Sequence, residues 1–201
     1  MSRRLVLATR NAHKVDELRR ILAESDLDVD LLGVDAFPGV PDVAETGTTF
    51  AENSLLKAHA VAAATGLPSV ADDSGLCVDV LGGMPGVFSA RWSGGHGDDR
   101  SNLELVLAQI EDVPDDRRAA HFACAAALAL PDGVERVVEG RLSGSLIRAP
   151  RGSYGFGYDP VFVPEGEVRT TAEMSPAEKD EISHRGRAFR ALAPLVAALL
   201  P

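Results

Sequence analysis

Leu5-Val6-Leu7-Ala8-Thr9-Arg10-Asn11-Ala12-His13-Lys14 is the stretch on which the fold class turns. The uncharged run reads as a buried first strand ending at Thr9. Residues 15–23 then place Leu18, Ile21 and Leu22 at helical spacing, with Glu and Arg on the other face. Outward from this strand-loop-helix unit, residues 27–34 alternate apolar and acidic residues and read as a second strand. Pro38-Gly39-Val40-Pro41 is a loop. Thr48-Thr49-Phe50-Ala51-Glu52 starts a helix with a threonine cap and an acid in the first turn, and Gly66 stops it. Pro68-Ser69-Val70-Ala71 is a short strand running into Asp72-Asp73-Ser74-Gly75, and residues 76–81 are strand-like again. Residues 98–110 form an amphipathic helix. Residues 119–130 and 134–146 are strand-like and joined by Pro131-Asp132-Gly133, a hairpin signal. Residues 161–163 give another strand, and residues 176–200 are helical. Early alternation of strands and helices, followed by a hairpin, predicts an α/β fold with a mixed sheet flanked by helices. No internal repeat or linker interrupts residues 1–201, which read as a single domain.

Composition narrows the partners. A formal charge of −10 and 45% hydrophobic content suit a protein with a proper core and argue against a nucleic-acid polymer or an anionic membrane. A small polyanion needs only local cations. Cys77 and Cys124 are isolated in apolar runs, which reads as buried thiols in a reducing cytosol. The N-terminal apolar run is too short for a signal peptide and the C-terminal one too short to span a bilayer, so the expectation is cytoplasmic.

The cations are unevenly divided: seventeen arginines but only three lysines, each lysine inside a polar constellation. A compact ammonium suits a phosphate oxygen or a base carbonyl. Thr9, Asn11, His13 and Lys14 stand beside a helix start, where backbone N–H groups and the helix dipole gather anions. This is no P-loop, and an ordinary turn with Asn11 as helix cap reads equally well. Period-2 geometry sends Asp72 and Asp73 to opposite faces, so one of them can ligate Mg²⁺ or polarise a water; an Asx turn is the other reading. Glu45 lies in a loop where it could join a metal site, and Glu52 reads as a dipole partner. Ser153-Tyr154-Gly155-Phe156-Gly157-Tyr158-Asp159-Pro160 offers either a stacking face for a base or a tight aromatic corner. Lys179, Ser183, His184 and Arg185 place donors on one side of a helix end, for a base or for solvent.

Together these segments resemble the inosine triphosphate pyrophosphatase family, in its bacterial non-canonical purine NTP branch. The matching pieces are Thr9-Arg10-Asn11-Ala12-His13-Lys14, Glu45-Thr46-Gly47 with Phe50, Glu52-Asn53 and Lys57, and Asp72-Asp73-Ser74-Gly75-Leu76. They continue through Gly86 with Ser89-Ala90-Arg91, then Gly155-Phe156-Gly157-Tyr158-Asp159-Pro160 and Ser183-His184-Arg185-Gly186. The resemblance implies an elongated, twisted mixed sheet in two lobes with the active site in the cleft between them. It also implies a homodimeric, Mg²⁺-dependent hydrolase that converts ITP, dITP and XTP to the monophosphate and pyrophosphate. By position, Thr9, Arg10, Asn11, Ala12, His13 and Lys14 would hold phosphates, with Lys57 a second cation for the leaving pyrophosphate. Asp73 would be proton acceptor and metal ligand, and Ser74 would touch substrate. Phe156, Gly157, Tyr158, Asp159, Lys179, His184 and Arg185 would hold base and sugar. The family pattern often has two consecutive acids before Thr-Gly, one of them a metal ligand; here the pair is Ala44-Glu45, so either Glu45 serves alone beside Asp73 or the metal leans more on Asp73 and the phosphates.

The chemistry agrees. Mg²⁺, Lys14 and Lys57 can neutralise a leaving pyrophosphate, and Asp73 can serve as base toward water. A donor at Lys179 or at the His184-Arg185 backbone bonds a 6-oxo group but meets the amino group of adenine badly, a contrast able to discriminate by roughly 10⁴–10⁵. Two rivals share parts of this pattern: a pyrophosphatase for modified pyrimidine or methylated nucleotides, and a non-catalytic nucleotide-binding module.

Overall fold

A computed structural model describes residues 3–24, 29–95 and 97–200. Leu27, where the sequence suggests that the second strand begins, lies outside the described residues. The elements are β1 (Arg3–Leu7), α1 (Ala12–Ala23), β2 (Val29–Gly33), α2 (Phe50–Thr65), β3 (Ser69–Val78), α3 (Asp99–Gln109), β4 (Ala119–Ala129), β5 (Glu135–Leu146), β6 (Phe162–Pro164), α4 (Pro176–Ile182) and α5 (His184–Leu199). The strands form one six-stranded sheet in the order β2-β1-β3-β4-β5-β6. β1 runs parallel to β2 and β3, and β5 runs antiparallel to β6, so the sheet is mixed as expected. The Pro131-Asp132-Gly133 hairpin is present: Leu130 N donates to Val134 O at 2.8 Å, and Gly133 sits at φ 92°.

The chain divides into two compact units. The first comprises residues 1–73, 124–140 and 185–201; the second comprises residues 74–123 and 141–184. Strand alternation in the first unit sorts its apolar residues into two layers. Leu5, Leu7, Val70, Cys124, Ala126 and Leu128 pack with Leu18 and Ile21 of α1 and Phe189 and Leu192 of α5. Val6, Ala8, Ala71, Ala127 and Ala129 pack instead with Ala58, Val61 and Ala62 of α2. Small residues on that second layer let an alanine-rich helix approach closely. In the second unit, Leu76 and Val78 pack with Leu103 and Val106 of α3, with Ile110 just past its end, and with Phe122 and Phe162. Arg118, 1% exposed, ties that core together by donating to the carbonyls of Ile110 and Leu146.

Helix ends follow the sequence signals. Thr49 and Glu52 form a reciprocal capping box on α2, and Gly66 closes it in the left-handed region at φ 65°. Asp98 caps α3.

Three expectations are corrected. Asp72-Asp73-Ser74-Gly75 is the middle of β3, not a turn at a strand end. Both carboxylates find cationic or amide partners inside the protein, and Gly75 permits a close approach that a side chain would block: a Cβ there would lie 2.4 Å from Gly86 O and 2.3 Å from Ser89 Oγ. β3 then ends at Val78, and Asp79–Leu81 form a 3₁₀ turn. Finally, residues 176–200 are two helices. Ser183 at ψ 152° is extended and separates α4 from α5, while Pro194 is accommodated within α5.

Candidate active site

The loop after β1 and the start of α1 use their polar residues locally first. Thr9 Oγ1 accepts from Asn11 N at 3.2 Å, and Asn11 Oδ1 accepts from Lys14 N at 3.2 Å, so Asn11 is the helix cap that one sequence reading proposed. Arg10 is exposed and pairs with Asp42 and Asp35 at 2.8 and 3.2 Å. Ala12 is the first residue of α1, and His13 is exposed on it.

The Lys14 side chain points inward. Its Nζ lies 2.9 Å from Asp72 Oδ2, which also accepts from Arg185 Nε at 3.1 Å. Arg185 Nη1 makes a short contact with Glu17 Oε2. The result is a buried alternation of charges: Glu17, Arg185, Asp72, Lys14. Burial alone would push the Asp72 carboxyl up, but Lys14 and Arg185 beside it hold it well below the usual carboxylate range. Arg185, which the family pattern associates with base and sugar, therefore has its guanidinium engaged by two acids in the first unit.

Asp73 turns the other way, as strand alternation requires. Its Oδ2 accepts from Asn53 Nδ2 at 3.0 Å, and its Oδ1 lies 3.7 Å from Lys57 Nζ. Lys57 in turn donates to Glu45 Oε1 at 2.6 Å. Burial pushes the Asp73 carboxyl up; Lys57 and Lys14 hold part of that back, Glu45 adds to it, and the net direction is up from the ordinary 3.8. Burial works against the Lys57 ammonium, yet Asp73, Asp72 and Glu45 together raise its affinity for the proton. Adjacent carboxylates thus differ sharply: Asp72 is locked as an anion, while Asp73 holds a proton more readily than an ordinary aspartate.

Asn53 is a site residue whose role the sequence reading did not assign. Fully buried on α2, it donates to Asp73 while its Oδ1 accepts from Gly47 N at 2.8 Å. Gly47 must be glycine, because a Cβ would sit 2.6 Å from the Glu52 Cβ. The available signal was a lone amide one residue past the capping acid of an alanine-rich helix. Glu17 was missed as well, hidden among the charges of α1. Glu52 is confined to the α2 cap, as expected.

In the second unit, Asp159 gathers a further cluster. Its Oδ2 accepts from Lys179 Nζ at 2.6 Å and from Phe156 N at 2.9 Å. The Lys179 ammonium stands 5.0 Å from the centroid of the half-buried Phe156 ring. Gly155 makes room for this, since a Cβ there would lie 2.1 Å from Asp159 Oδ2. Gly157 N donates to Asp99 Oδ2 at 2.8 Å. Tyr158 belongs to the aromatic-corner reading: it is 4% exposed and its hydroxyl donates to Ser89 O at 2.9 Å. The buried His184 ring stacks on Phe122, centroids 4.8 Å apart and planes 12° apart. Ser74 follows Asp73 in β3 and is half-buried.

Among the described residues, no three His, Cys, Asp or Glu side chains gather into a metal cage. Glu45 and Asp73 are instead two carboxylates that both approach the Lys57 ammonium.

The Ham1 family model matches residues 5–195. The chain belongs to the Ham1 family. Its relatives span the full length. It is 70% identical to the dITP/XTP pyrophosphatase of Streptomyces avermitilis over 197 residues, 98% of each chain, and 57% identical to that of Nocardia farcinica, covering 98% of this chain and 96% of the relative. Among solved structures, the Ham1 protein of Coxiella burnetii superposes with a TM-score of 0.88 at 40% identity, covering 98% and 99% of the two chains. The nucleoside-triphosphatase, or dITP/XTP pyrophosphatase, of Mycobacterium abscessus gives 0.77 at 54% identity, covering 95% and 99%. This Ham1 chain accordingly has a mixed α/β sheet fold of known type, and the contrast between Asp72 and Asp73 belongs to that fold's first unit.

Proposed function

We propose that this chain hydrolyses non-canonical purine nucleoside triphosphates (ITP, dITP and XTP) to the monophosphate and pyrophosphate, clearing deaminated purines from the nucleotide pool. Full-length identity to proteins named dITP/XTP pyrophosphatase supports the reaction. The observation that carries the mechanism is the unequal environment of Asp72 and Asp73. Asp72 neutralises Lys14 and Arg185, whereas burial, with Glu45 nearby, raises the proton affinity of Asp73 despite the opposing Lys57 ammonium. A general base works best when its proton affinity approaches the operating pH. Asp73 takes the proton of the attacking water, and Asn53 holds the carboxylate in place while it does so.

Lys14 and Lys57 oppose the charge that develops on the pyrophosphate. An ammonium has three donors, so the bond from Lys14 to Asp72 leaves it able to meet a phosphate oxygen. Two carboxylates, Asp73 and Glu45, suit Mg²⁺, which takes few protein ligands and completes its shell with water and phosphate. When bound, Mg²⁺ would neutralise phosphate charge and acidify a bound water. On this reading Phe156 stacks on the base and Lys179 donates to its 6-oxo group, while the buried His184 ring stacks on Phe122.

The chain is proposed to act as a homodimer in a reducing cytosol; its two free, buried cysteines fit that compartment, and light scattering measures the assembly. No helix among the described residues is long and apolar enough to cross a membrane. The deciding experiment is pyrophosphate release from ITP, dITP, XTP, ATP and GTP with and without Mg²⁺. Fast, Mg²⁺-dependent release from the first three is expected. A preference for ATP, or orthophosphate as first product, would refute the proposal.

A further inference from the structure

Asp159 is 2% exposed and its two oxygens have different duties. Oδ2 takes Lys179 Nζ and Phe156 N, the two groups that set the donor and the ring of the base cluster. Oδ1 accepts from Thr171 Oγ1 at 2.9 Å. The same hydroxyl lies 3.2 Å from Asp159 O, but it has one proton, and the carboxylate is the nearer and stronger acceptor. Thr171 is itself fully buried and held in a short turn whose ends are tied by a capping box between Thr170 and Glu173.

We propose that Thr171 is a positioning residue for base selection: its hydroxyl fixes the plane of the Asp159 carboxylate, and through it the direction in which Lys179 donates over the Phe156 ring. The proposal rests on the assignment of Lys179 to the base. The torsion that turns an aspartate carboxylate is broad, so side-chain packing alone does not define its plane. A hydrogen bond at each oxygen does. Lysine supplies a point charge on a flexible stem, and its aim is set by what holds the ammonium. Without the threonine proton, Oδ1 is a buried acceptor short of a donor, and the carboxylate rotates to recover one. Lys179 and the ring then no longer keep their 5.0 Å relationship.

The test compares kcat/KM for ITP and ATP in wild type, Thr171→Val, Thr171→Ser and Lys179→Ala, and in Thr171→Val combined with Lys179→Ala. Wild type is measured first: no ITP preference there overturns the base assignment itself, separately from the role of Thr171. Given that preference, Thr171→Val, which keeps the branched shape, is expected to lower the ITP/ATP ratio about tenfold. Thr171→Ser should restore most of it, and adding Thr171→Val to Lys179→Ala should change the ratio no further. The loss should fall mainly on KM for ITP. An unchanged ratio in Thr171→Val, a Ser variant as impaired as Val, or full additivity with Lys179→Ala would each overturn the proposal. Should Thr171→Val fail to fold, Thr171→Ala is read against Thr171→Ser by the same ratio.

Discussion

Asn53 Nδ2 stands 3.0 Å from Asp73 Oδ2 in a fully buried hydrogen bond, and the far side of the same amide is held by Gly47 N. An amide fixed at both ends is a better support than a hydroxyl, which can rotate. It also bonds the ionised form of Asp73 and so lowers that group's proton affinity against the opposing effect of burial. Asn53→Ala removes this restraint and raises the Asp73 pKa further. Because the base must be deprotonated, the acidic limb of kcat/KM should move to higher pH. A pH-rate profile on ITP checks it, and a limb that stays in place would remove Asp73 as the titrating base.

Asp73→Asn and Asp72→Asn should separate chemistry from stability. Asp73→Asn removes the proposed base and one of the two carboxylates proposed for Mg²⁺, and should abolish turnover while the protein still melts cooperatively. Asp72→Asn leaves Lys14 and Arg185 without their shared anion; losing one member of a buried ion pair costs about 3–5 kcal/mol. The pH dependence carries a definite sign. The folded pKa of Asp72 is depressed, so its contribution is present above the ordinary value of 3.8 and is lost as pH falls below it. Denaturant titrations should show wild type losing stability from pH 4 downward, and Asp72→Asn should be weaker throughout with a flatter acid slope.

Lys14→Ala and Lys57→Ala should each lower kcat/KM for every triphosphate by a similar factor. Phosphates are common to all substrates, so these lysines cannot report on the base. Their side effects should differ: Lys14→Ala strips a partner from the buried Asp72, whereas Lys57→Ala lets Glu45 and Asp73 repel each other directly. Initial rates on ITP and ATP decide it, and a selective loss on ITP would place that lysine at the base.

The alternating strands and helices, the α2 cap, the Gly66 stop and the 131–133 hairpin were legible because local patterns determine them. The divergence of Asp72 and Asp73 was legible as well, since it needs only a strand of either length. What local pattern could not supply was the continuity of β3, which depends on partners distant in sequence: Arg185 for Asp72, Asn53 for Asp73, and the close approach of Gly86 and Ser89 to Gly75. The break at Ser183 had no proline or glycine to mark it. Arg185 reads as a companion of Lys179 when Lys179, Ser183, His184 and Arg185 are taken as donors on one side of a single helix end, yet the helix break at Ser183 sends the two side chains to different acids.

The two aromatic positions of the glycine-rich segment should respond in opposite ways. Phe156 is half-buried beside the Lys179 ammonium, and stacking on a base is indifferent to the groups on its edge. Phe156→Ala should therefore weaken all purine triphosphates together by about 1–3 kcal/mol, with the ITP/ATP ratio nearly unchanged. Tyr158 is buried and gives its hydroxyl proton to Ser89 O. Tyr158→Phe leaves that buried carbonyl without its donor, a stability cost of about 1–3 kcal/mol, while kcat/KM should stay close to wild type. Thermal melts and the ITP and ATP rates of the two variants settle the matter: a Tyr158→Phe enzyme that is fully stable but catalytically weakened would place that hydroxyl on the substrate and not in the core.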